Sequence, residues 1–166
     1  IRPMCFELGL TLMPWSPLAG GLLTGKYTAA DMGPPDPDAG ARKAQLQATG
    51  AINERNLEIV AAVQRIAEAN GVTPSQVALA WLLARKGRPL PVLGARTVDQ
   101  LKDNLGCLEV SLSDDQINEL DEVSTIELGY PHRLYASVML RNMLVDRHSK
   151  VEAGFDVFAT ALTRSR

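Results

Sequence analysis

Apolar positions along this chain follow two different patterns. Between Asn53 and Asn70, Leu57, Val60, Val63 and Ile66 stand three residues apart, which places them on one stripe of a helix. Asn53 or Asn56 can cap its start, and Gly71 follows as a stop. Thr73-Pro74-Ser75-Gln76 reads as a capping box with proline at the first helical position. The run behind it, Val77 to Leu83, is apolar nearly all round, which predicts a mostly buried helix. Thr97-Val98-Asp99-Gln100 repeats the capping box and predicts a helix through about Leu105. Ser113-Asp114-Asp115-Gln116 repeats it once more, ahead of Ile117, Leu120 and Val123 on one face.

Two other apolar stretches are continuous instead of periodic. Gly9 to Trp15 and Pro89 to Leu93 predict short strands, the first of them buried. Strand, helices, strand, helix is the rhythm of a parallel α/β sheet. Tyr27 to Ile52 has no period and carries Pro34, Pro35 and Pro37, so it reads as a long loop, either a connector or a clamp beside a site. Past Tyr130 the pattern fades. Leu134 to Val145 reads as an amphipathic helix, within a tail, residues 134–166, set apart from residues 1–133.

Composition narrows this picture without redirecting it. The 166 residues are 46% apolar and 22% charged, which is globular, not disordered. A net charge of -2 gives no reason to expect nucleic acid or a membrane surface as partner. No run approaches a membrane span, no signal segment opens the chain, and Cys5 and Cys107 lie among apolar residues. The cytoplasm and reduced, buried thiols are therefore the expectation. The chain opens on Ile1, and Ile1 to Glu7 reads like the middle of a polypeptide, so we expect processing or truncation upstream, truncation being the favoured reading.

The chemistry is expected where the two strands break. Trp15-Ser16-Pro17-Leu18-Ala19-Gly20-Gly21-Leu22-Leu23-Thr24-Gly25-Lys26-Tyr27 and Pro91-Val92-Leu93-Gly94-Ala95-Arg96-Thr97-Val98-Asp99-Gln100-Leu101-Lys102-Asp103-Asn104 each pass from an apolar run into small residues, and the second opens directly onto a helix. Small residues let a ligand approach the backbone, and the helix start after Thr97 suits an anion. Two such edges suggest one phosphate-bearing ligand bridging neighbouring strand ends. In a (β/α)8 barrel, loops after the last two strands build a phosphate site, and the whole barrel takes about 200 residues or more. The expected fold is thus α/β, the C-terminal part of a (β/α)8 TIM barrel, its last quarter to half.

These segments resemble the aldo-keto reductase superfamily. The likeness runs from about Gly9 to Pro131 and is carried by Ser-Pro-Leu-Ala-x-Gly-Leu-Leu-Thr-Gly-Lys-Tyr, Gly-Ala-Arg-Thr-x-x-Gln-Leu-x-x-Asn-Leu and the closing Ser-x-x-x-Ile-x-x-Leu. It is nearest to the bacterial and channel-β-subunit-like branches. The resemblance implies a barrel that binds NADPH along its strand ends and reduces aldehydes and ketones by hydride transfer. It places Trp15 against the nicotinamide. It places Ser16, Leu18, Leu23, Gly25 and Lys26 around the pyrophosphate and Gly94, Ala95, Arg96, Gln100 and Asn104 around the adenosine and its 2′-phosphate, with Pro17, Gly21 and Leu93 also among the cofactor-binding residues. The family's catalytic Asp, Tyr, Lys and His all precede the stretch matched by this chain, so no catalytic residue is assigned.

Each assignment has a plainer alternative. Trp15 can be a core aromatic at a strand end. Lys26 and Arg96 can be solvated cations, although a guanidinium at a helix start can also stack on adenine and fork onto phosphate. Gln100 is accounted for as a capping partner, Asn104 lies one turn beyond it, and Cys107 is a small core residue. His132 and His148 have no evident base or metal partner. The leading functional expectation is the cofactor-binding portion of an NADPH-dependent carbonyl reductase, inactive alone. A non-catalytic nucleotide-sensing subunit on the same barrel and a bare half-barrel are the alternatives.

Overall fold

The computed structural model describes residues 2–87, 89–127 and 129–130. The expected tail helix over 134–145, both histidines and the boundary at residue 133 lie outside these. Six α-helices occur among the described residues: α1 (Arg2–Glu7), α2 (Ala41–Ala48), α3 (Glu54–Asn70), α4 (Pro74–Leu83), α5 (Val98–Leu105) and α6 (Asp114–Val123). Short 3-10 stretches lie at Ala19–Thr24, which is kinked at Gly20 and Gly21, and at Ala29–Asp31, Pro37–Ala39 and Gly106–Glu109.

Helices start where the side chains dictate. The Asn53 side chain accepts the Asn56 N–H, and α3 runs to Gly71, as its periodicity predicts. Thr73 and Gln76 exchange hydrogen bonds across the first turn of α4, and Ser113 and Gln116 do the same for α6. At α5 only half of the box forms. Thr97 accepts the Gln100 N–H at 3.2 Å, but the Gln100 amide oxygen reaches one residue further back, to the Arg96 N–H at 2.9 Å. Gln100 thereby fixes the backbone at Arg96 instead of closing on Thr97.

Helix α3 packs on α4 and α6, and α5 packs on the far side of α4. Ala62, Val63, Ile66 and Ala67 of α3 meet Val77, Ala78 and Leu120 in one core cluster, with Leu18, Leu23 and Trp81 against it. A second cluster joins Leu22, Tyr27, Leu46, Ile52 and Val60. Val77 and Leu79 are wholly buried, as the apolar run behind Thr73 predicts. Cys5 and Cys107 are buried and unpaired, and burial pushes the Cys107 thiol upward from its ordinary value.

Two expectations need correction. Residues 10–15 and 89–92 do run side by side in parallel: the Leu90 N–H donates to the Leu12 carbonyl at 2.8 Å and the Val92 N–H to the Pro14 carbonyl at 2.9 Å. Yet the pairing amounts to a single bridge, Trp15 to Val92, with no strand of regular length among the described residues. Nor is the first segment buried, since Leu10, Met13 and Trp15 are all exposed. An apolar run is buried in a parallel sheet only when neighbours flank both edges and both faces, and this pair has no flanking strand among the described residues.

The second correction concerns Tyr27 to Ile52, which is not one long loop. It contains α2 and two 3-10 turns, and Tyr27, Leu46 and Ile52 are core residues. Helix α2 buries a single side chain, Leu46, so it leaves no apolar period to read. Polar contacts hold it instead. Lys43 Nζ lies 2.7 Å from Asp31, the Gln47 amide nitrogen donates to the Asp31 carbonyl at 3.0 Å, and the Gln47 oxygen accepts the Asp36 N–H at 3.1 Å.

Candidate functional site

The parallel pair ends on one side of the molecule, and beyond its end lies a cleft of about 330 Å³. One wall is the segment after Trp15. Its backbone turns back on itself through left-handed conformations at Ser16, Ala19, Gly20, Gly21 and Gly25. Ser16 and Ala19 carry side chains there, a costly arrangement that tends to occur where the chain serves a site. The turn is tied by Ser16, whose carbonyl accepts the Ala19 N–H at 2.8 Å and whose Oγ accepts the Gly20 N–H at 3.2 Å. The opposite wall is Val92 to Gly94, with Arg96 and α5 beyond.

Most residues expected at the site share this cleft. Trp15, Ser16, Pro17, Leu18, Gly21 and Lys26 line one side, and Leu93, Gly94, Arg96, Gln100 and Asn104 the other. Trp15 is 83% exposed at the rim. Lys26 folds back past Gly21, with its Nζ 5.0 Å from the centre of the Tyr27 ring. Asn104 is buried, and among the described residues no buried side-chain polar atom lacks a partner.

Leu23, Gly25 and Ala95 do not line the cleft. Leu23 points into both core clusters. Gly25 ends the 3-10 turn with φ of +79°, and its carbonyl accepts the Gln64 amide N–H from α3 at 3.0 Å. Ala95 is exposed between Gly94 and Arg96.

Sequence reasoning missed further members. Gly20, Thr24, Val92, Ser75 of α4, Asp103 of α5 and Arg42 of α2 also line the cleft. The Asp103 carboxylate accepts the Gln76 amide at 3.2 Å, and its carbonyl does so at 3.0 Å. Arg42 matters most, because it adds a third cation to Lys26 and Arg96. Helix α2 packs closely on the glycine turn there: a Cβ on Gly20 would crowd Leu46 at 3.2 Å and touch Arg42 at 3.6 Å. The available signal was helix propensity, since Ala41-Arg-Lys-Ala-Gln-Leu-Gln-Ala48 consists of good helix formers flanked by Gly40 and Gly50.

Charge around α2 is anchored away from the cleft. The Lys43 ammonium, then the Thr28 N–H, holds the Asp31 carboxyl below the usual carboxylate range. Asp31 in turn raises Lys43. No group of three or more His, Cys, Asp or Glu able to hold a metal ion occurs among the described residues. No helix among them is long and apolar enough to cross a membrane.

Known proteins are similar in sequence to most of this chain. The sequence is 37% identical over 135 residues to an aldo-keto reductase of Schizosaccharomyces pombe whose name carries NADP(+), covering 79% of this chain and 39% of that protein. It is 34% identical over 136 residues to the norsolorinic acid reductase of Emericella nidulans, covering 79% of this chain and 31% of that one. It is 28% identical over 120 residues to the versiconal hemiacetal acetate reductase of Aspergillus parasiticus. The chain thus spans well under half the length of the curated relatives it matches. The sequence profile of the aldo/keto reductase family matches residues 1–125, a stretch that includes both core clusters and every residue lining the cleft. By that match this chain belongs to the aldo/keto reductase family of oxidoreductases.

Proposed function

We propose that the cleft between Trp15–Lys26 and Leu93–Asn104 holds NADPH, and that the chain is the cofactor-binding portion of a carbonyl reductase in the cytoplasm. The observation that carries this reading is the convergence of Lys26, Arg42 and Arg96 on one cleft whose rim exposes the Trp15 ring. Three cations suit a ligand with several phosphates, and an exposed indole offers a flat apolar face for a ring. The NADP(+) in the name of the fission-yeast relative supports the same choice.

Bound there, NADPH would supply the hydride. The work of this chain's own residues is to bind and orient. Lys26 and Arg42 approach from the side of the glycine turn, where the backbone can come close to phosphate oxygens. Arg96 stands just before α5 with its backbone N–H fixed by Gln100; on this reading its planar guanidinium makes a forked contact with a 2′-phosphate.

Among the described residues neither a tyrosine nor a histidine lines the cleft, and Tyr27 is buried in the second core cluster. On this reading the described residues bind the cofactor, the proton donor that carbonyl reduction requires lies outside the cleft lining, and the chain alone is inactive. We read the parallel pair at 12–15 and 90–92 as two neighbouring strands of the (β/α)8 barrel that the family implies. Its parallel direction and the exposed Leu10, Met13, Leu90 and Val92 support this. A small carbonyl compound is the substrate class.

The test is a pair of dissociation constants. The intact protein should bind NADPH more tightly than NADH, and Arg96→Ala should weaken NADPH alone by about tenfold or more, a charge-assisted contact being worth roughly 1.5–3 kcal/mol. Equal losses for both cofactors would remove Arg96 from the 2′-phosphate.

A further inference from the structure

Helix α2 brings Arg42 to the cleft, yet almost nothing apolar fixes the direction in which α2 faces. Leu46 is its single buried residue, and one anchor leaves rotation about the helix axis open. On an α-helix, residues four apart share a face, whereas neighbours in sequence point about a quarter-turn apart. Arg42 and Leu46 form the face toward Gly20 and the cleft. Lys43 and Gln47 form the adjacent face, and both end on the same residue, Asp31. Its carboxylate lies 2.7 Å from Lys43 Nζ, and its carbonyl accepts Gln47 at 3.0 Å.

Asp31 is itself held. Its carboxylate accepts the Thr28 N–H at 2.8 Å and the Thr28 hydroxyl at 3.3 Å, closing a single turn that starts immediately after the core residue Tyr27. The chain of restraint runs from the core through Tyr27 and Thr28 to Asp31. From there it passes to Lys43 and Gln47, and so to the azimuth of α2. Asp31 does not line the cleft.

We infer that Asp31 is a positioning residue for the ligand of this cleft: it fixes α2 so that Arg42 faces the phosphates. The inference rests on the reading of the cleft as a phosphate-bearing cofactor site. It deepens that reading by assigning affinity to a residue outside the cleft. Asp31 acts only through Arg42, so its effect disappears when Arg42 is absent.

The experiment is a double-mutant cycle on the intact protein, with NADP(+) as titrant and calorimetry as readout. Asp31→Asn should raise Kd about 5- to 10-fold, and Arg42→Ala should raise it by at least as much. Asp31→Asn added to Arg42→Ala should change Kd less than twofold, because the group being positioned is gone. Asp31→Glu, which keeps a carboxylate for both Thr28 and Lys43, should retain most of the affinity lost in Asp31→Asn. That retention guards against a trivial loss of folding. An equal effect of Asp31→Asn with and without Arg42 would overturn the inference and leave the cofactor site standing. Absence of NADP(+) binding by a folded wild-type protein would overturn the site reading, and the inference with it.

Discussion

Individual residues in the turn after Trp15 carry conformations that their identities explain unevenly. Gly25 suits its left-handed φ, whereas Ser16 and Ala19 hold φ near +50° against their side chains. Gly25 is doubly constrained, because a Cβ there would lie 2.6 Å from the Gln64 amide nitrogen that caps its carbonyl. Gly25→Ala should therefore destabilise the intact protein by about 1–3 kcal/mol, combining left-handed strain with the displaced amide. Urea unfolding measures this, and the loss should shrink toward the strain share alone when Gln64→Ala is introduced as well. Unchanged stability of Gly25→Ala would mean that the turn relaxes freely and has no fixed role in shaping the cleft wall.

Beside the two apolar clusters, buried polar links also join elements, and the clearest joins α4 to α6. Arg85, at the end of α4, is 8% exposed. Its guanidinium meets both oxygens of Asp121 at 2.8 and 2.6 Å and lies 4.1 Å from the Trp81 ring centre. Trp81 also donates to Asp121, at 2.8 Å. Removing one member leaves a buried charge without its counterion, which costs more than the pair contributes. Asp121→Ala should lower unfolding stability by on the order of 3 kcal/mol, and Arg85→Met with Asp121→Leu should lose much less. Equal losses in the single and double variants would show that packing, not charge, joins these helices. The same scale explains what sequence could reveal. The boundaries of α3, α4 and α6 depend on caps and periodicity within the segment itself, and they read directly from Asn53, Thr73 and Ser113. Helix α2 escaped that reading because Asp31 and Gln47 hold it by polar contacts, and the exposure of residues 10–15 escaped it because burial depends on neighbours outside the segment.

At the scale of the molecule, the two helix-rich clusters form a platform, and the cleft lies where the parallel pair ends above it. Both chain segments of the cleft were legible, since small residues after an apolar run mark a close approach of backbone to ligand. Arg42 and Ser75 were not, because they arrive from α2 and α4 through tertiary packing. The central claim is that these separate segments act as one cofactor site. Hydrogen–deuterium exchange of the intact protein with and without NADP(+) tests it most directly. The account predicts slowed exchange in three separate stretches, residues 16–26, 41–48 and 94–104, and no change across α6. Protection confined to one stretch, or centred on the apolar hollow beneath Leu22, Ile59 and Trp81, would contradict it.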